Sequence, residues 1–231
     1  MMARTADAVV LLSGGMDSAT VLAMALNEGH RCHALTFRYG QRHEAEVQAA
    51  ARIAKALGAA DHRIIPISLG ELADSSLTQP SRPIPKDRNP AQIHAGIPST
   101  YVPARNTIFL AYALALAEAT QSDLIYVGVN SVDYSGYPDC RPEYIEAFRD
   151  LAAVATRRAV ERQAPEIVAP LQFMSKAEII HAGMRLGVDY GLTLSCYDPD
   201  PRGRACGRCD SCTLRRQGFR EAEVPDPTIY Y

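Results

Sequence analysis

Long apolar segments are missing from this 231-residue chain: its longest uninterrupted apolar run, residues 108–117, has ten residues. A membrane-spanning helix needs roughly 20. No charged and then apolar leader follows Met1. We therefore expect a cytoplasmic protein that makes no contact with a membrane.

An excess of positive charge is also missing. The 24 Lys and Arg against 26 Asp and Glu give a formal net charge of -2, and the sequence pI is about 6.3. Proteins that bind polyanions usually carry a basic field. The charge balance argues against nucleic acid as a partner, and the length suits a single α/β domain over residues 1–231.

Cysteine is sparse except near the C-terminus, where four of the six cysteines crowd together. In a reducing compartment such a group favours a metal site over disulfides. Four thiolates fill a closed tetrahedral zinc site, which predicts one structural zinc in a knuckle. An iron–sulfur cluster shares the Cys-x2-Cys-x2-Cys run, but the Cys-Pro that would complete it is absent. Redox thiols are the third alternative. The predicted ligands are Cys196, Cys206, Cys209 and Cys212.

A glycine turn follows the apolar run of residues 8–12 and precedes a helical pattern. Two glycines let the backbone approach an anion, Ser13 and Ser18 add hydroxyl donors, and the helix presents its positive end. The spacing matches neither a Walker loop nor a dinucleotide-binding loop. The turn therefore predicts an ATP phosphate site. Its predicted residues are Leu11, Leu12, Ser13, Gly14, Gly15, Met16, Asp17, Ser18, Ala19, Thr20 and Val21.

Strand and helix patterns alternate along the chain, which predicts a Rossmann-like parallel sheet with helices on both faces. A ligand crevice is then expected at the carboxyl ends of the strands. Residues 70–103 lack periodicity and contain six prolines, so we expect a long loop or insertion there. Residues 190–231 form the predicted zinc-binding appendage.

Two basic residues stand where loops enter helices. Lys176 follows Ser175 in a capping-box pattern, where a cation opposes the helix dipole unless an anion lies between them. An ATP phosphate would be such an anion, and a solvated surface lysine is the alternative. Arg105 could bind phosphate or a substrate carboxylate bidentately, or pair with an acidic side chain.

The loop at residues 132–141 mixes aromatic, acidic and basic side chains after a predicted strand. Tyrosine faces can stack on a planar heterocycle, and a carboxylate can accept two N–H groups from a 2-amino-pyrimidinone edge. An ordinary exposed loop is the alternative, and Cys140 could be either inert or a reactive thiol. The candidate substrate residues are Asp133, Tyr134, Tyr137, Asp139 and Arg141.

The glycine turn resembles the PP-loop of the N-type ATP pyrophosphatases, and most of the chain is similar to the QueC-type 7-cyano-7-deazaguanine synthases. One departure is Ala104, where that family is expected to have glycine. The segments that carry the resemblance are residues 12–18, 37–43, 102–110, 128–148, 175–180 and 195–228.

The resemblance implies ATP-dependent conversion of 7-carboxy-7-deazaguanine and ammonia into the nitrile, 7-cyano-7-deazaguanine, in queuosine biosynthesis. It implies a carboxylate and then an amide that are adenylated in turn. The glycine turn, Lys176 and Mg²⁺ would stabilise the charge on the departing pyrophosphate, and Asp17 would orient the loop or the metal. Arg105 is the third candidate catalytic residue. The resemblance also implies a homodimer. The rival hypotheses are a PP-loop enzyme that thiolates or amidates tRNA, and a zinc-knuckle module that binds nucleotide without turnover.

Overall fold

The computed structural model describes residues 6–132 and 136–231. A five-stranded sheet, parallel throughout, forms its centre, in the order β3-β2-β1-β4-β5. The α/β class and the parallel sheet predicted from the sequence are therefore confirmed. The strands are β1 (Asp7–Leu11), β2 (Arg31–Arg38), β3 (Asp61–Pro66), β4 (Leu124–Tyr126) and β5 (Glu166–Val168).

Helices connect the strands and continue beyond β5. They are α1 (Met16–Asn27), α2 (Ala45–Leu57), α3 (Leu69–Leu72), α4 (Pro90–Ile93), α5 (Arg105–Thr120), α6 (Pro142–Ala155), α7 (Arg157–Val160), α8 (Lys176–Arg185) and α9 (Asp210–Glu221). None of the helices in the described ranges is long and apolar enough to cross a membrane.

Strand β1 separates two apolar cores because successive side chains of a strand point to opposite faces. Val9 and Leu11 belong to the core that also contains Leu110 of α5. Ala8 and Val10 belong to the other core, which contains residues of α1, α8 and α9. The apolar run of β1 reflects burial on both faces, as expected for a central parallel strand.

The sequence patterns predict a helix over residues 41–57, a strand over residues 124–129 and no helix after the cysteine run, and the structure differs at each of these places. Helix α2 begins at Ala45 and not at Gln41, because the Gln41 side chain accepts from the Tyr39 backbone N–H at 2.7 Å and donates to the Phe37 carbonyl at 3.2 Å. These bonds hold a turn after β2. Strand β4 ends at Tyr126 rather than Val129, and α9 was not expected at all.

Residues 70–103 contain the single helical turn of α4 and little other regular structure. They lie against the C-terminal cysteine segment. The Asp87 backbone N–H donates to the Arg208 carbonyl at 2.8 Å, and Lys86 pairs with Asp198 at 2.7 Å. Arg88 pairs with the buried Asp210 at the start of α9. Several polar contacts thus join two parts of the chain that are far apart in sequence.

Candidate active site and metal centre

In the sheet, β1 lies between β2 and β4. The chain passes from β1 to β2 and β3 on one side, and then crosses to β4 and β5 on the other side of β1. A crevice opens at the carboxyl ends of strands where the connections diverge in this way. A cavity of about 280 Å³ lies at this position. It is lined by residues that follow β1, β2 and β4 and by residues of α5, α8 and α9.

The glycine turn after β1 is held by its own serines. The Ser13 backbone N–H donates to Ser18 Oγ at 3.1 Å, and the two hydroxyls lie 3.0 Å apart. Ser13 Oγ also accepts from the Gly15 backbone N–H at 3.3 Å. The turn is therefore held by hydrogen bonds among its own residues, with Gly15 directly before α1.

Gly14 is required by its conformation and by its neighbours. Its φ is +89°, which L side chains rarely adopt, and a Cβ there would lie 2.3 Å from the Glu46 carbonyl oxygen of α2. Gly15 has an ordinary φ of -81°. A Cβ at Gly15 would lie 3.5 Å from Ser13 Oγ and 3.6 Å from Ser195 Oγ, so it would occupy the space between two hydroxyls that line the cavity.

Lys176 and Asp17 meet at the first turn of α1. Lys176 Nζ donates to Asp17 Oδ2 at 2.6 Å, and the lysine side chain is 12% exposed. It is thus not a solvated surface lysine. Asp17 Oδ1 is buried and has no hydrogen-bond partner among the described residues. The Ser175 side chain caps α8 together with Glu178, which confirms the predicted start of that helix.

Aromatic side chains form the other end of the cavity. The rings of Phe37 and Phe109 are stacked, with centroids 4.2 Å apart and 11° between their planes. The Arg105 guanidinium lies 5.9 Å from the centre of the Tyr39 ring and 5.8 Å from that of Tyr137. This end of the cavity suits a flat ligand.

A carboxylate that the sequence reasoning did not single out lies at the same end. Glu46 of α2 lines the cavity, and burial raises its pKa to about 7, although Arg105 opposes that shift. The same burial, with a contribution from Glu46, raises the pKa of Tyr39. Both groups are therefore poorly solvated when charged.

Most residues of the predicted phosphate site line this cavity, as do Lys176, Arg105 and Tyr137. The lining residues from the predicted phosphate site are Leu11, Leu12, Ser13, Gly15, Met16, Asp17 and Ser18. The other members do not line it. Ala19 and Val21 are fully buried in the core, and Thr20 donates to the Met16 carbonyl and contacts the Tyr190 hydroxyl at 2.8 Å.

The predicted substrate loop is divided. Asp133 and Tyr134 lie outside the described residues. Asp139 is buried away from the cavity and accepts from the Asn106 backbone N–H at 2.9 Å, while Arg141 is exposed directly before α6. Cys140 lines the cavity, but burial raises the pKa of its thiol to about 12, with Asp139 adding to the shift. It is therefore a neutral thiol and not a reactive thiolate.

The four C-terminal cysteines come together as the spacing predicted. All are buried, and their sulfurs lie within 4.8 Å of one another. The sulfurs of Cys206 and Cys212 are 4.0 Å apart, close to the edge of a tetrahedron with ~2.3 Å zinc–sulfur bonds. Backbone N–H groups support the sulfurs: Cys206 donates to Cys196 Sγ at 3.2 Å, and Cys209 donates to Cys206 Sγ at 3.3 Å. The donor set fits zinc.

The cysteine segment also makes hydrogen bonds to the glycine turn, and the sequence reasoning missed these contacts. The Leu194 backbone N–H donates to the Gly14 carbonyl at 2.9 Å, and Ser195 Oγ accepts from the Met16 N–H at 3.4 Å. On α9, a Cβ at Gly218 would lie 2.5 Å from Lys176 Cβ. The sequence signal for this contact was the position of Ser195 next to Cys196. That position does not indicate which way the Ser195 side chain points.

The family model described as "Queuosine biosynthesis protein QueC" matches residues 7–223. The chain is 59% identical to the 7-cyano-7-deazaguanine synthase of Thiobacillus denitrificans over 223 residues, which are 96% of this chain and 97% of the relative. It is 57% identical to the enzyme of that name from Pseudomonas putida over 224 residues, 97% of this chain and 98% of the relative.

Among solved structures, a 4-thiouridine synthetase in complex with RNA and bound ATP has a TM-score of 0.54 and 19% identity. The match covers 97% of this chain and 47% of that chain. At this identity the likeness shows the shared fold alone. The family model and the near full-length relatives go further: the chain belongs to the QueC family of 7-cyano-7-deazaguanine synthases.

Proposed function

We propose that this chain converts 7-carboxy-7-deazaguanine and ammonia into 7-cyano-7-deazaguanine, with ATP cleaved to AMP and pyrophosphate. The observation that carries the proposal is one cavity that has the glycine turn and Lys176 at one end and aromatic and charged side chains at the other. Membership of the synthase family supports the choice of substrates.

The phosphate end would bind the β- and γ-phosphates of ATP. The hydroxyls of Ser13, Ser18 and Ser195 and the positive end of α1 would face an anion placed there. Lys176 belongs to the first turn of α8 and already lies in the cavity, so an ATP phosphate would compete with Asp17 for its ammonium. Positive charge held at this point stabilises pyrophosphate as it leaves.

The reaction needs two activations at this one site. A carboxylate oxygen of the substrate attacks the α-phosphorus, pyrophosphate leaves, and ammonia then displaces AMP from the acyl carbon to give an amide. The amide oxygen attacks a second ATP in the same way, and loss of AMP and protons leaves the nitrile. The chain supplies position and charge and needs no covalent nucleophile. The neutral Cys140 thiol is consistent with that role.

Asp17 is the residue that would hold Mg²⁺. Its buried Oδ1 has no partner among the described residues, and magnesium binds commonly through one or two carboxylates together with substrate phosphates. Bound there, Mg²⁺ would supply positive charge next to the phosphates.

We propose one structural zinc per chain, bound by the four C-terminal cysteines. All four positions of such a zinc would be filled by protein, so it would not act on substrate. Its role would be to hold Leu194, Ser195 and α9 against the phosphate turn and Lys176, where they already make the contacts described above.

Arg105 and the loop at residues 132–141 remain the proposed substrate contacts. Tyr137 and Arg105 line the cavity, and Asp139 supports Asn106, which also lines it. Asp133, Tyr134 and Arg141 are retained as candidates on the family resemblance. Ammonia would arrive free or from a partner protein. We also propose a homodimer, which light scattering at micromolar protein tests; a monomeric mass would contradict it.

The deciding experiment is mass spectrometry of the products formed from Mg-ATP, ammonium and 7-carboxy-7-deazaguanine. The proposal expects the amide and the nitrile together with AMP. ATP that stays intact with this acid but yields AMP when tRNA is added would refute it and favour a tRNA-modifying enzyme.

A further inference from the structure

Glu46 has no part in the phosphate chemistry, yet it lies in the reaction cavity. It is the second residue of α2, next to the turn that α2 supports through the Glu46 carbonyl and Gly14. None of the described residues makes a hydrogen bond to its carboxylate. A carboxylate can accept from several donors, so this group keeps its full capacity for a ligand.

Arg105 presents the opposite charge in the same cavity without forming an ion pair with Glu46. Both side chains also border a smaller adjoining space of about 30 Å³, together with Tyr39 and Gln41. Charges withdrawn from water and left unpaired are costly. The raised pKa of Glu46 reflects that cost. A ligand that presents N–H donors to Glu46 would offset it, and acceptor groups on the same ligand would face Arg105.

The neighbouring rings define the shape of that ligand. Phe37, Phe109, Tyr39 and Tyr137 line the same end of the cavity, which favours a planar heterocycle. Adenine offers one N–H donor beside a ring nitrogen acceptor, so a carboxylate would gain one bond there and meet one repulsion. A 2-amino-pyrimidinone offers two adjacent N–H donors, which match the two oxygens of a carboxylate.

We propose that the Glu46 carboxylate recognises the substrate by accepting both N–H groups of its 2-amino-pyrimidinone edge, with Arg105 facing the acceptor groups of the same ring. This inference rests on the function proposed above. It assigns Glu46 a second effect, which is to exclude the adenine ring of ATP from the half of the cavity meant for the deazapurine.

Binding of two ligands to two proteins tests the proposal. The ligands are 7-carboxy-7-deazaguanine and the analogue that lacks the 2-amino group, and calorimetry without ATP gives their dissociation constants. The native protein should bind the acid about 10- to 100-fold more tightly than the analogue. In Glu46→Gln that preference should fall by at least about fivefold, because the amide keeps one acceptor oxygen and turns an NH2 donor towards the second N–H of the ligand. Glu44→Gln is the matched control, because Glu44 is exposed and pairs with Arg38.

The outcomes separate the two proposals. If the native protein fails to bind the acid, the proposed function is refuted and this inference falls with it. If the native protein discriminates and Glu46→Gln discriminates equally, only the role of Glu46 is refuted.

A measurement on the native protein serves if Glu46→Gln does not fold. The preference for the amino-bearing ligand should grow as the pH rises from about 6 to 8, because the Glu46 carboxyl, with a pKa of about 7, ionises over that interval and only then accepts both N–H groups. Of the groups that face it, Arg105 stays charged and Tyr39 stays neutral because its pKa is raised, while burial lowers the pKa of His43 and so favours its neutral form. A preference that does not change with pH would refute the proposal.

Discussion

Two adjacent residues of the glycine turn should respond differently to replacement by alanine. Gly14→Ala should lose stability, and Gly15→Ala should lose ligand binding. In Gly14→Ala the new methyl would lie 2.3 Å from the Glu46 carbonyl oxygen and 2.9 Å from the Ala50 backbone nitrogen. Both are backbone atoms of α2, so neither can move aside as a flexible side chain would. The substituted residue would also have to keep a φ of +89°.

The loss in the free energy of unfolding caused by Gly14→Ala is the sum of a backbone contribution and a packing contribution. The left-handed conformation costs a residue with a Cβ about 1–2 kcal/mol. Overpacking against fixed atoms costs about 1–3 kcal/mol. We therefore expect the free energy of unfolding to fall by about 2–5 kcal/mol, which is a shift of roughly 5–15 °C in Tm for a domain of this size.

Gly15→Ala should lose ligand binding and keep most of its stability. Its φ of -81° suits alanine, and the nearest atom to the methyl is 3.5 Å away. Replacing glycine by alanine at this helix N-cap costs at most about 1 kcal/mol. The methyl would stand between Ser13 and Ser195, where we propose that phosphate oxygens bind, so Mg-ATP should bind at least about tenfold more weakly.

Thermal unfolding and calorimetric titration with Mg-ATP, each applied to both variants, separate these effects. The reasoning requires a large Tm loss in Gly14→Ala and a large affinity loss at nearly native Tm in Gly15→Ala. Equal Tm values in the two variants would refute the steric argument. Native ATP affinity in Gly15→Ala would show that phosphate does not occupy the space between the two hydroxyls.

Three further predictions follow from other contacts. Lys176→Met should lower the rate of pyrophosphate release by about 10²- to 10³-fold, and Tm should also fall because Asp17 loses its partner; Lys55→Met, on the exposed side of α2, is the control, and equal rates in the two variants would contradict the role of Lys176. Ala104→Gly should raise the free energy of unfolding by about 1 kcal/mol, because Ala104 has a φ of +55° and is exposed; urea denaturation checks this, and a less stable variant would contradict it. Cys206→Ser should release zinc on elemental analysis and weaken Mg-ATP binding at least about tenfold, because the knuckle segment carries Ser195 to the turn; native ATP affinity without zinc would contradict that coupling.

The phosphate site shows what local sequence can predict. The order strand, glycine turn, helix depends on neighbours in the chain, so residues 11–18 were identified together, and all but Gly14 line the cavity. Ala19 and Val21 follow in the same motif but are fully buried, because a helix turns them towards the core. A motif marks a segment, and the helical period decides which side chains of that segment reach a ligand.

The loop at residues 132–141 shows the opposite case. Its mixture of aromatic and charged residues marked a site, and Tyr137 does line the cavity. Asp139 instead accepts the Asn106 N–H at the start of α5, and Arg141 is exposed. Composition describes the chemistry available in a loop, but the direction of each side chain depends on contacts with distant elements.

The sequence by itself determined the parallel α/β class, the glycine turn after β1 and the grouping of the four C-terminal cysteines, because each depends on spacing over a few residues. Only the tertiary structure decided that Glu46 and Arg105 share one cavity and that Ser195 meets the Met16 N–H at 3.4 Å. Glu46 and Arg105 are separated by 59 positions in the chain, and Met16 and Ser195 by 179 positions. These contacts arise from the packing of helices and of the cysteine segment around the sheet, for which no local pattern carries a signal.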